Sequence, residues 1–195
     1  MQGGTVDRCE RHRYMADMTD SVDPLPILVV PDPILKARAK PVTEGDLEHV
    51  RHLVPRMFLT MYRAPGIGLA APQVGVGLRF AVVDLQADDT RAPIVLINPQ
   101  VASQSEEQAT REEGCLSLPG QYADVTRPAR VTVRYTDLEG AKRQIDAEGL
   151  LAACLQHEID HLDGILFVDH LSALKRNMIL RRLAKELRQK RTEAM

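Results

Sequence analysis

His157-Glu158-Ile159-Asp160-His161 constrains this chain more than any other segment, because two imidazoles four residues apart meet only if the backbone there is helical. At about 100° per residue, positions four apart are offset by about 40°, so both rings reach one cation. Glu158, one residue round, is placed to act on water beside that cation without being a ligand, as a general base in metal-assisted hydrolysis. The plainer alternative is a core helix with two hydrogen-bonded histidines. The spacing predicts a helix from Gly149 to Leu162 that stops at Gly164.

Two ligands leave a catalytic site short, since such centres take three protein ligands and keep a fourth position for water. The extended H-E-x-x-H-x-x-G-x-x-H pattern is matched through Gly164 but fails at Phe167, where its third histidine would stand. Glu186 is the only later glutamate at a plausible distance, and it lies in a basic amphipathic run that reads as surface. Among the cysteines, Cys9 sits in a polar tail and Cys154 reads as a small apolar core residue. Cys115 follows a glycine and precedes Leu116-Ser117-Leu118-Pro119, an extended segment able to cross the helix and offer a thiolate. An odd cysteine count without a secretory leader argues against a disulfide framework and for a reducing compartment.

The residues up to about 20 mix Arg8, Arg11 and Arg13 with Asp7, Glu10 and Asp17, and are expected to form a disordered extension before a single catalytic domain over 21–195. Met15 and Met18 are alternative starts; an acid-poor, serine-rich import signal is not matched, so the expected location is the cytoplasm. A helix is predicted from Glu44 to Tyr62 behind a Thr43 cap, burying Leu47, Val50, Val54, Met57, Phe58 and Met61 and bent at Pro55. Strands are predicted at 79–85, 94–98, 129–136 and 142–147, the last two joined by a turn at 137–140. A last helix, 172–191, is expected to bury Leu174, Met178, Leu183 and Leu187 and to expose Lys175, Arg176, Arg181, Arg182, Lys185, Arg188, Lys190 and Arg191. These elements make an α+β fold: mostly antiparallel strands around a central helix bearing H-E-x-x-H, with an N-terminal and a C-terminal helix.

Apolar residues make up 44 % and charged ones 27 %, and no apolar stretch nears the roughly 20 residues that span a membrane. A net charge of -2 with 4 % aromatics gives no drive toward DNA and few stacking platforms. Gly66 and Gly68 would allow close approach of a peptide backbone; no Gly-Lys-Ser/Thr follows, so a phosphate cradle is disfavoured. Leu150, Ala153, Cys154 and His157 recur at helical spacing and share one face, which supplies either an apolar pocket beside the cation or ordinary core.

Three motifs stand in order: Gly66-Ile67-Gly68-Leu69-Ala70-Ala71-Pro72-Gln73, Glu113-Gly114-Cys115-Leu116-Ser117 and Gln156-His157-Glu158-Ile159-Asp160-His161. Together they resemble the peptide deformylases, from about Leu25 to the carboxyl end. The resemblance implies that Cys115, His157 and His161 hold one divalent cation, iron(II) natively with zinc or nickel as substitutes. It implies that Glu158 is the acid/base, and that Gln73 and the Leu116 N–H grip the formyl oxygen of an N-formylmethionyl peptide. Ile67, Gly68 and Gly114, with Leu150, Ala153 and Cys154, would line the substrate, and Glu113 would pair with Arg127 to brace the loop. Tyr122 is a departure, standing near where some bacterial members carry an arginine that holds the substrate main chain. Family analogy points the basic last helix toward the ribosome. Two other readings stay open at this stage: a metallopeptidase with Glu186 as third ligand, and a non-catalytic metal-binding, ribosome-associated module.

Overall fold

The computed structural model describes residues 23–87 and 90–193. The expected N-terminal extension and both alternative starts lie outside the described residues. Helix α1, Leu47–Arg63, follows a short 3-10 turn, Glu44–Asp46, at which Thr43 and Asp46 form a capping box. Its inner face buries Val50, Leu53, Val54, Met57, Phe58 and Met61, and Pro55 is accommodated within the helix.

Five strands form one antiparallel sheet in the order β1-β2-β3-β6-β7: β1 Gly68–Ala70, β2 Phe80–Val83, β3 Ile94–Gln104, β6 Arg130–Thr136 and β7 Lys142–Glu148. Strand β2 is buried on both faces. Phe80 and Val82 pack toward α1, and Val83 packs toward the helix that bears the H-E-x-x-H segment. That helix, α2, spans Gly149–Leu162, the predicted bounds, and Ala152, Cys154, Leu155 and Ile159 close on Leu96, Val131 and Val133. Gly149 (φ 61°) and Gly164 (φ 74°) bracket it in left-handed conformations that favour glycine. At Gly164 a Cβ would also meet the Lys36 carbonyl.

A second unit, a hairpin of β4 Gln108–Cys115 and β5 Leu118–Pro128, pairs only with itself among the described strands. It lies outside the predicted strands, and β3 likewise runs past the predicted end at Asn98. Helix α3, Ala173–Glu193, packs on β5 and on the turn Phe167–His170. Its buried stripe corrects the expected one: Ile179 and Leu183 are buried, with Leu180 and Leu187 beside them, whereas Leu174 and Met178 are exposed. Leu174 and Leu183 stand nine residues apart, about half a revolution at 100° per residue, so one neighbour cannot cover both. The architecture is α+β, antiparallel strands around α2. No helix among the described residues is long and apolar enough to cross a membrane.

Candidate metal centre and its cleft

Helix α2 turns His157 and His161 toward the hairpin, their ring centroids 4.9 Å apart, and β4 ends at Cys115 directly opposite. Cys115 Sγ lies 3.1 Å from His161 Nε2. The ligand atoms of Cys115, His157 and His161 all fall within 4.8 Å of one another, the only such group of metal-ligating side chains among the described residues. A thiolate and two imidazoles are a donor set suited to iron(II), nickel or zinc. Glu158 Oε2 and His161 Nδ1 are buried without hydrogen-bond partners, an arrangement costly in an ordinary core. The residues therefore fit a divalent cation.

Glu186 is elsewhere. Its Oε2 accepts from Gln121 Nε2 at 3.0 Å, which removes the basis for reading it as a third ligand. Phe167, at the position of the missing third histidine, is core, and its ring stacks on His157. Cys154 is buried, with Sγ 3.6 Å from the Ile67 carbonyl.

A polar chain fixes the ring of His157. Glu113 Oε2 meets His157 Nδ1 at 2.9 Å, while both Glu113 oxygens accept from Arg127 at 2.6 and 3.0 Å. Arg127 continues to Asp160 Oδ2 at 2.7 Å, and His170 Nε2 reaches the same oxygen at 2.7 Å. The Glu113–Arg127 pair thus holds more than a loop: the carboxylate orients an imidazole whose other nitrogen is left for the cation. Burial raises the Glu113 carboxyl, but hydrogen bonds from His157 and Arg127 outweigh it and hold the group at about 2. Burial lowers His157, yet its bonds to Cys115 and Glu113 carry it well above the ordinary range; a bound cation would replace that proton. His161 is pushed well below that range by burial and by its neighbour His157. Glu158, 3 % exposed, is raised by burial to about 7, inside the range of a proton carrier at neutral pH.

Gln73 projects from the 3-10 turn Ala71–Val74 with its orientation set by its partners. Oε1 accepts from the Ala70 N–H at 2.8 Å, so the NH2 group faces Ser117 Oγ at 3.2 Å and Cys115 Sγ at 3.5 Å. Leu116 and Gly114 both line the cleft. A Cβ on Gly114 would run into the Tyr122 ring, which is 60 % exposed at the rim. A Cβ on Gly68 would collide with Glu158 Oε1 and the Cys154 sulfur, so only glycine lets β1 pass this close to α2. The Ile67 carbonyl accepts from the Asp84 N–H at 2.9 Å, which leaves its N–H as the group able to meet a substrate chain. The cleft encloses about 640 Å³, with Leu150, Ala153 and Cys154 of α2 on one side. Leu150 is half exposed at its edge rather than core.

Sequence reasoning missed Glu113 as the partner of His157, and Asp160 and Ser117 as partners of Arg127 and Gln73. The one signal there to use was spacing: with Cys115 on an extended segment, Glu113 stands two residues away and so on the same face.

Residues 24–177 match the family model described as polypeptide deformylase. This chain belongs to the polypeptide deformylase family. The peptide deformylase of Rhizobium meliloti is 49 % identical over 171 residues, covering 87 % of this chain and 98 % of that one. The peptide deformylase of Rhizorhabdus wittichii is 53 % identical over 168 residues, 83 % and 94 % of the two chains. The crystal structure of a peptide deformylase from Legionella pneumophila superposes with a TM-score of 0.79 at 49 % identity, over 86 % of this chain and 97 % of that one. One from Synechococcus elongatus in complex with actinonin gives 0.77 at 43 % identity, over 83 % and 89 %. The chain is accordingly a metal-dependent amide hydrolase, not a bare metal-binding module.

Proposed function

We propose that the cleft removes the formyl group from N-formylmethionyl peptides, releasing formate and a free amino terminus. The supporting observation is the convergence of Cys115, His157 and His161 with buried Glu158 beside an apolar-walled cleft. Cys115, His157 and His161 are the ligands in this reading, and a divalent cation held there supplies Lewis acidity toward water and the formyl oxygen. We take iron(II) as the native ion and zinc or nickel as substitutes.

Glu158 takes the proton from the attacking water and delivers it to the departing amine, a task matched to a carboxyl raised to about 7. The Gln73 NH2 and the Leu116 N–H donate to the oxyanion as it develops, each donor contributing about 3 kcal/mol where such groups have been measured. Ile67 and Gly68 hold the peptide along β1, and Gly114 keeps the opposite wall low. Leu150, Ala153 and Cys154 receive the methionine side chain. The test is formate release from formyl-Met-Ala-Ser amide. Glu158→Ala is expected to lose about 10²- to 10⁴-fold in kcat with its metal retained; a variant as fast as the parent sinks the reading.

The basic face of α3 is the proposed contact with the ribosome, where an anionic surface would meet Lys175, Arg181, Lys185 and Arg188. Reversing those four charges should reduce co-sedimentation with ribosomes at low salt, and equal recovery of both forms would discard the contact.

A further inference from the structure

We propose that Arg111 sets substrate preference, its guanidinium favouring peptides with acidic side chains on the two residues after the formylmethionine. The inference rests on the deformylase reading and names which chains that site prefers. Arg111 is the one Lys or Arg among the described residues lining the cleft. It shares a face of β4 with Glu113 and Cys115, opposite Val125 in the hairpin register. From Cys115 it is four residues along the strand, roughly 13 Å at 3.3 Å per residue. An extended peptide whose formyl group lies at Cys115 brings its second and third residues within reach of an arginine side chain so placed.

The charge is available. No hydrogen bond or ion pair involves Arg111 among the described residues, and its Nη2 stands 3.7 Å from where a Cβ on Gly149 would be, over the start of α2. Glu113, two residues on, is already committed to Arg127 and His157. Glu112 also lines the cleft, opposite Asp124 in the hairpin register, and no ion pair joins it to Arg111 among the described residues. Had Tyr122 been a cation, the rim would carry two positive charges; here the task falls to Arg111 alone.

The experiment measures kcat and KM on formyl-Met-Glu-Glu amide, formyl-Met-Ala-Ala amide and formyl-Met-Lys-Lys amide, whose amidated ends leave side chains as the only variable charge. The parent is expected to favour the acidic over the basic peptide about two- to fivefold, chiefly in KM, as for a solvent-facing ion pair. Raising ionic strength should shrink the ratio. Arg111→Leu should bring the ratio to one, Arg111→Lys should keep it, and Arg111→Glu should invert it, with melting temperatures showing that each variant is folded. A parent without the preference, or an unaltered ratio in both Arg111→Leu and Arg111→Glu, overturns the inference while the deformylase reading stands. No formate from the alanine peptide with the parent enzyme overturns the activity itself, and this inference with it.

Discussion

Gly68 shows how closely this site is drawn. Glu158 Oε1 and the Cys154 sulfur occupy the space a methyl group would need, so Gly68→Ala must displace the carboxylate, the strand, or both. Overpacking of this kind costs about 1–3 kcal/mol, and a carboxylate moved by 1 Å can cost about 10²-fold in rate. The expected outcome is a variant that still folds, melts a few degrees lower and releases formate at about a hundredth of the parent rate. Differential scanning calorimetry and the formate assay read the two effects separately, and parent-like turnover would show that the close approach has no bearing on catalysis. The two glycines of the first motif were visible in the sequence as places of close approach, but the neighbour being approached was not, because Glu158 arrives from 90 residues further along the chain.

Among the elements, α1 and α2 were legible and the β4–β5 hairpin was not, for a definite reason. Helix α1 buries an apolar face that 3.6-residue periodicity marks, and the four-residue spacing of His157 and His161 marks α2. The inner face of the hairpin holds Glu113 and Arg127, which satisfy each other, and its outer face carries Glu112 and Asp124. With charges on both sides, the alternation of apolar and polar residues that betrays a strand is missing. Cys115, the ligand at the end of β4, was reached instead by comparing the three cysteines and their flanks, and the resemblance agreed. Helix α3 was read with one stripe, Leu174, Met178, Leu183 and Leu187, and its first two members are exposed. Because Ile179 is buried and Leu174 exposed, Ile179→Ala should cost about 2–4 kcal/mol in urea unfolding and Leu174→Ser less than about 0.5. Comparable losses from both would mean that something covers the first turns of the helix.

At the scale of the molecule, the cation would join two bodies that share no strand pairing. Cys115 comes from the hairpin, and His157 and His161 come from the helix packed on the five-stranded sheet. Binding of this kind stabilises the folded chain by mass action, about 4 kcal/mol at a thousandfold excess over Kd, or roughly 10 °C for a chain this size. Chelation should therefore lower the melting temperature by about that much, and zinc should restore it. Cys115→Ser should show a much smaller metal-dependent shift, and a parent indifferent to chelation would place the ion elsewhere.

Gln121, on the wall of the cleft, has both ends of its amide taken by α3: Arg182 Nε donates to its oxygen at 2.7 Å and Glu186 accepts from its nitrogen at 3.0 Å. The carboxyl-terminal helix is thus a buttress for the active face as well as a candidate docking arm. Shortened forms made to study ribosome contact would unfasten that wall, and slower turnover in them would report lost support for the substrate rather than lost recruitment.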